Sequence, residues 1–104
     1  MSDFLNQLGN ASYESYMETY YVDLLLDDPE GPDYSPEQLT KIYRLNNDAK
    51  LVLDIINMYI DDIENDILVI TDSLWNETIK PLIMRMNIAS SSAYRMAING
   101  GKKI

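Results

Sequence analysis

One ten-residue segment divides the chain into two parts. Three of the four prolines lie between Asp27 and Pro36, in the sequence DDPEGPDYSP. Each proline removes a backbone donor and fixes φ, so a helix or strand cannot continue through this segment. We therefore predict a Pro/Gly loop at residues 27–36, between an acidic, Tyr-rich helical arm at 1–26 and a helical body at 37–104.

The chain lacks the side chains on which most active sites and metal sites depend. None of its 104 residues is Cys or His, which excludes zinc fingers, disulfide scaffolds, cysteine nucleophiles and His-dependent triads. The Gly pair lies at the end of the chain, so no Gly-rich phosphate loop is present. The acidic run at 61–66 lacks the Gly and Glu spacing of an EF-hand loop. We predict a protein that is not an enzyme and holds no metal or cofactor.

The apolar runs are short, and the first residues do not form a basic region followed by an apolar one. We therefore predict a cytoplasmic protein with no membrane partner.

Apolar residues recur at spacings of three and four along most of the chain, which predicts an all-α fold. In the arm, Gly9 is expected to end a short first turn, and one face of the next helix is formed by Tyr13, Tyr16, Met17, Tyr20 and Leu24. The interpretation that we favour is packing of this face in the core or half in the core, with the hydroxyl groups reaching water. The alternative is a partner-binding face, because Tyr is enriched among interface hot spots.

The body contains two further cap signals. Ser35-Pro36-Glu37-Gln38 predicts a helix start, with a helix running to about Leu45. Asn46-Asn47-Asp48 predicts the start of a second helix over 48–64, and the apolar run at 67–71 is also predicted to be helical. With the pair described next, this gives a small bundle of five to six helices.

Residues 78–98 have the pattern of a helix-turn-helix. Thr78 can cap a first helix, Asn87 falls at the expected turn, and Ser90 can cap a second helix. The charge favours a nucleic-acid contact here, because residues 78–104 have five basic side chains and no acidic one. All 17 carboxylates lie between Asp3 and Glu77, where they leave a net charge of −14. The alternative is an intramolecular contact, in which the basic tail folds back onto this acidic body.

The string from Met86 to Arg95 resembles the C-terminal helix-turn-helix of the RinA/ArpU-like late transcription regulators of phages of Gram-positive bacteria. It departs from that family at Ile79, where a Trp is usual, and at Ile83, where a small residue is usual. The resemblance implies a DNA-binding transcriptional regulator that reads double-stranded DNA with its second helix. The expected DNA contacts are Lys80, Arg85, Ser91, Ser92, Tyr94, Arg95, Lys102 and Lys103.

Two other functions remain open. In the first, a phage-encoded acidic protein inhibits a basic host protein that binds nucleic acid, as anti-CRISPR proteins and DNA mimics do. Its contact face would be Asp54, Asp61, Asp62, Glu64, Asp66 and Asp72. In the second, the chain is a structural protein that oligomerises through the Tyr-rich face of the arm. A homodimer is expected in several of these cases, so dimerisation alone does not distinguish them.

Overall fold

Three long helices, joined by two short connections, make up the fold. The computed structural model describes residues 2–31 and 33–100, with side chains from residue 3 onward. Helix α1 spans Ser2–Asp27, helix α2 spans Pro36–Glu64, and helix α3 spans residues 72–99. Helix α2 runs antiparallel to its two neighbours, and the resulting rod measures 48 × 21 × 18 Å. The all-α class is confirmed for the described residues, which contain no strand.

The prediction of five to six helices is wrong, because positions predicted to break helices lie inside them. Gly9 is in the middle of α1, where a single Gly costs about 1 kcal/mol, while Leu8 and Ala11 beside it are buried in the core. Asn46 lies within α2, and its side-chain amide donates to Asp23 of α1 at 3.0 Å rather than capping a new helix.

The predicted helix-turn-helix pair is also absent, since Asn87 and Ser90 lie within one continuous α-helix, Lys80–Asn99. Their side chains contact α1 instead of forming a turn and a cap. Sequence alone could not distinguish these outcomes, because the same polar atoms can serve a cap or a neighbouring helix.

The helix starts are defined by local chemistry. The capping box at Ser35 is confirmed, with Gln38 N donating to Ser35 Oγ at 3.1 Å and Ser35 N donating to Gln38 Oε1 at 2.8 Å. Helix α3 is capped by Thr71, not by Thr78 as expected. It begins with one α turn, Asp72–Leu74, followed by a π turn, Trp75–Ile79. Pro81 is the second residue after this turn, and the wider turn accommodates a residue that lacks a backbone donor.

The apolar segment after α2 is not a helix, contrary to prediction. Residues 66–71 form a turn and an extended stretch, in which Asp66 adopts a φ of 60°. Ile67 and Val69 are strongly exposed, whereas Leu68 and Ile70 are partly buried. This alternation is typical of an extended connection packed on one side.

The other connection holds the far end of α3. The Tyr34 hydroxyl donates to the Ala97 carbonyl at 2.7 Å, and its ring covers Gly100, which follows α3. A Cβ at position 100 would lie 2.0 Å from that ring, so any larger residue there would displace the Tyr34 side chain. Gly100 therefore both ends the helix and makes a tertiary contact with Tyr34.

The core has two apolar parts with a polar layer between them. The larger part includes Leu8, Ile56, Trp75 and Met86, and Trp75 stacks on Phe4 with 4.7 Å between ring centroids. The smaller part is formed by Val22, Ile42, Ala93 and Ala97. The buried polar side chains of the layer are Ser12, Ser15, Thr19, Asn46 and Ser90. Three of these five belong to α1, which makes the packing of that helix unusual.

Candidate functional site

Helix α1 turns its small side chains inward. Its buried residues are Leu8, Ala11, Ser12, Ser15, Thr19 and Val22. Apart from the two ends of this stripe, no large apolar residue of α1 is fully buried in the described part of the helix. The inward face of α1 is therefore narrow and rich in hydroxyl groups.

These hydroxyl groups find partners across the helix contacts. Ser12 donates to Asn57 Oδ1 of α2 at 2.9 Å. Ser15 donates to Asn87 Oδ1 of α3 at 2.8 Å and lies 3.0 Å from the Ser90 hydroxyl. Buried polar groups that are paired in this way avoid the desolvation penalty of an unsatisfied group. We call this set of contacts the hydroxyl seam.

The tyrosines and Leu24 of α1 face away from the bundle. Tyr13 is 64% exposed and Tyr16 is 53% exposed, and Tyr20, Tyr21 and Leu24 are close to half exposed. Full packing of this face in the core is therefore excluded, whereas the half-exposed rings of Tyr16 and Tyr20 agree with packing half in the core. We call Tyr13, Tyr16, Met17, Tyr20, Tyr21 and Leu24 the tyrosine face.

Four aromatic rings form a continuous ladder across this face. The ring centroids are 6.4 Å apart for Tyr16 and Tyr20, 6.0 Å for Tyr20 and Tyr21, and 6.3 Å for Tyr21 and Tyr94 of α3. These distances lie within the range of favourable aromatic contacts. The ladder thus connects α1 to α3 and presents a pre-arranged aromatic surface.

Carboxylates border the tyrosine face on both sides. At 3.6 residues per turn, Asp23 falls on the side toward α2, and Glu14 and Glu18 fall on the side toward α3. Asp27 falls on the same line of the helix as Tyr16 and Tyr20. Helix α1 has five carboxylates and no Lys or Arg. An aromatic strip between two acidic borders is complementary to a cationic surface.

Shallow grooves follow these borders. The groove between α1 and α3 is lined by Tyr13, Glu14, Met17, Glu18, Asn87 and Ser91. Glu18 accepts hydrogen bonds there from Ser90 at 2.8 Å and Ser91 at 3.1 Å. On the other side, Asp23 accepts from Lys50 of α2 at 2.9 Å. These contacts hold two of the border carboxylates in fixed positions.

The structure does not bring the predicted DNA contacts onto one face. Arg85 points toward α2 and forms an ion pair with Asp48, whereas Ser91 and Tyr94 face α1. Lys80 and Arg95 are exposed, and Ser92 is half buried. Lys102 and Lys103, with the rest of the basic tail, lie outside the described residues.

The predicted acidic face is also divided. Asp54, Asp61 and Asp62 lie on the outer side of α2, whereas Glu64 projects from a different side of the same helix. Asp66 lies in the turn and Asp72 in the first turn of α3. Within residues 2–31 and 33–100, no group of three or more carboxylates is arranged to hold a metal ion.

Tyr21 was not predicted to be part of this surface, and Tyr94 was predicted to contact DNA. The available signal was the stripe of small residues at Ala11, Ser12, Ser15, Thr19 and Val22, which also has helical spacing. A helix with small residues on one face and tyrosines on another can pack either way, and small residues permit closer approach of the backbones.

Among the described helices, none combines the length and apolar character needed to cross a bilayer. A comparison of the chain with protein-family models, with curated proteins and with solved structures finds no match. The function therefore has to be argued from the geometry of this chain.

Proposed function

We propose that this protein binds a cationic surface of another protein through the tyrosine face of α1. The observation that supports this proposal is the orientation of α1, which buries its small hydroxyl residues and exposes its tyrosines. In a helix that only stabilised the fold, the large side chains would be the ones to bury, since they release the most apolar surface from water.

The chemistry of the face favours guanidinium and ammonium groups as ligands. Tyr is enriched at interface hot spots, and an Arg placed over its ring gains about 0.5–1 kcal/mol at an exposed site. Glu14 at the border and Asp27 on the line of Tyr16 and Tyr20 can pair with the same cations. The Tyr16–Tyr20–Tyr21 ladder fixes the rings before binding, which reduces the entropy lost on association.

The same charges disfavour a nucleic acid on this face. Bases stack well on exposed tyrosines, but α1 would bring five carboxylates toward the phosphates and offers no cation to neutralise them. DNA binding by the C-terminal region stays a prediction, although the helix-turn-helix from which it was inferred is absent. Arg95 and Lys80 are exposed there, and a DNA arm in the experiment below tests it.

Nucleic-acid-binding proteins are the first class of partner to test, because they present Arg-rich surfaces built to meet phosphates. Occupying such a surface would compete with nucleic acid and inhibit the partner. This function requires binding only, with no bond made or broken by the protein.

The test uses fluorescence anisotropy with a labelled Arg-rich peptide at physiological salt. We compare the parent with the double variant Tyr16→Ala/Tyr20→Ala, which leaves the net charge unchanged. Losing two exposed cation–π contacts should weaken binding by about 5- to 30-fold. The matched control is Tyr43→Ala on α2, which removes a Tyr that is 50% exposed but lies outside the ladder.

Equal peptide affinity for the parent and the Tyr16→Ala/Tyr20→Ala variant would overturn the proposal, since charge alone would then explain the binding. Replacing every Arg of the peptide by Lys should also weaken binding, because Arg stacks on rings better than Lys does. Tighter binding to double-stranded DNA than to the peptide would favour the regulator hypothesis instead.

A further inference from the structure

The outer side of α2 exposes a second apolar strip, far from the tyrosine face. Leu51 is 65% exposed, Ile55 is 41% exposed and Met58 is 66% exposed. Their spacings of four and three place them on one line along the helix, on the side opposite to the buried Ile56 and Ala49.

This line continues in both directions with the same alternating spacing. Arg44 and Asp48 precede Leu51, and Asp62 follows Met58, so the spacings run four, three, four, three, four. Such a repeat is the pattern of a helix that pairs with another helix. We call Arg44, Asp48, Leu51, Ile55, Met58 and Asp62 the α2 seam.

We propose that the α2 seam pairs with the same seam of a second copy of this chain, with the two α2 helices antiparallel about a two-fold axis near residue 53. In this register Leu51 packs against Ile55 of the second copy, and the symmetry repeats that contact. Arg44 then lies opposite Asp62 of the second copy, at both ends of the contact.

The charges at the two ends select this arrangement. In a parallel pair, Arg44 would face Arg44 and Asp62 would face Asp62, which is repulsive. The two ion pairs seen within the described residues are Lys50–Asp23 and Arg85–Asp48, so neither Arg44 nor Asp62 is paired inside its own copy there.

In this register, Asp48 lies opposite Met58 of the second copy. Its charge is compensated by Arg85 of the same chain. Asp54, by contrast, lies beside the axis and faces its own symmetry mate. This repulsion makes the pairing weaker than the apolar strip alone would allow, and Asp54→Asn should tighten it.

Dimerisation through α2 is independent of the proposed function, because it leaves the tyrosine face free. It differs from the oligomer predicted from the sequence, which would use that face. Variants on α1 and on α2 can therefore distinguish these two modes of association.

Sedimentation velocity over a micromolar to submillimolar range, at physiological salt, measures the dimer dissociation constant. Leu51→Asp should raise this constant at least tenfold, and so should Arg44→Asp or Asp62→Arg alone. The combined Arg44→Asp/Asp62→Arg chain restores opposite charges across the pair and should recover dimerisation. All of these positions lie outside the buried core, and helical circular dichroism confirms that each variant folds.

The control is Met84→Asp, which places the same charge on an exposed apolar residue of α3 away from the seam. It should leave the dissociation constant unchanged. The proposal is overturned if the parent stays monomeric throughout, if the combined charge reversal does not recover dimerisation, or if Tyr16→Ala/Tyr20→Ala abolishes dimers that Leu51→Asp leaves intact.

Discussion

The two sides of the bundle are held together by different chemistry. Between α2 and α3, large apolar side chains such as Val52, Ile56 and Met86 are fully or almost fully buried. Along the middle of α1, between the buried Leu8 and Val22, the hydroxyl seam takes their place. A buried Ile is worth about 2–5 kcal/mol against Ala, whereas a hydrogen bond contributes about 0.5–1.5 kcal/mol. The middle of α1 is therefore held by weaker and more directional contacts, and its tyrosines remain available to a partner.

The largest expected effect falls on the apolar side. Ile56→Ala empties a site with no solvent exposure and should lower the free energy of unfolding by about 2–5 kcal/mol. The adjacent Ile55→Ala removes the same atoms from a residue that is 41% exposed and should cost less than about 1 kcal/mol. Urea denaturation of the pair measures both values, and equal losses would contradict the assigned faces of α2.

The hydroxyl seam should respond less strongly. Ser15→Ala removes the donor to Asn87 and the contact with Ser90, at an expected cost of about 1–2 kcal/mol of unfolding free energy. A double-mutant cycle with Asn87→Ala isolates the hydrogen bond from Ser15 to Asn87, for which we expect a coupling of about 0.5–1.5 kcal/mol. Strict additivity of the two losses would mean that these two side chains do not interact.

Comparing the stabilities of Asn87→Gly and Asn87→Ala shows whether residue 87 lies in a continuous helix or in a turn. Inside α3, Asn87→Gly should be about 1 kcal/mol less stable than Asn87→Ala, because glycine loses more backbone entropy in a helix. In a turn with positive φ, the order would be reversed. Both variants lose the acceptor for Ser15, so this contribution cancels.

Tyr34→Phe gives the smallest expected change. It removes the 2.7 Å hydrogen bond to Ala97 and should cost about 0.5–1.5 kcal/mol of unfolding free energy at neutral pH. Burial raises the pKa of Tyr34 above its ordinary value of 10.0, so the folded state favours the neutral phenol. The advantage of the parent over Tyr34→Phe is therefore complete below pH 10 and is lost as the pH rises through the raised pKa. A gap that widens in alkali would contradict this assignment.

Local signals in the sequence predicted the features that depend on neighbouring residues. The capping box at Ser35, the proline-rich break before it and the all-α class each follow from a few adjacent positions.

The features that failed depend on tertiary partners. Asn46, Asn87 and Ser90 have the chemistry of caps, and only the position of α1 shows that they donate or accept across helices instead. The face of α1 was misjudged for a similar reason. Its tyrosines have helical spacing, but so do Ser12, Ser15 and Thr19, and close packing of backbones selected the smaller set.

The binding function requires that the tyrosines of α1 lie outside the bundle. Urea denaturation of Tyr16→Ala/Tyr20→Ala measures this, because two fully buried aromatic residues would together contribute more than about 6 kcal/mol to the free energy of unfolding. For half-exposed rings we expect a total loss of about 1–2 kcal/mol with a cooperative transition retained. A variant that fails to fold, or that loses more than about 4 kcal/mol, would contradict the outward orientation and the binding function proposed from it.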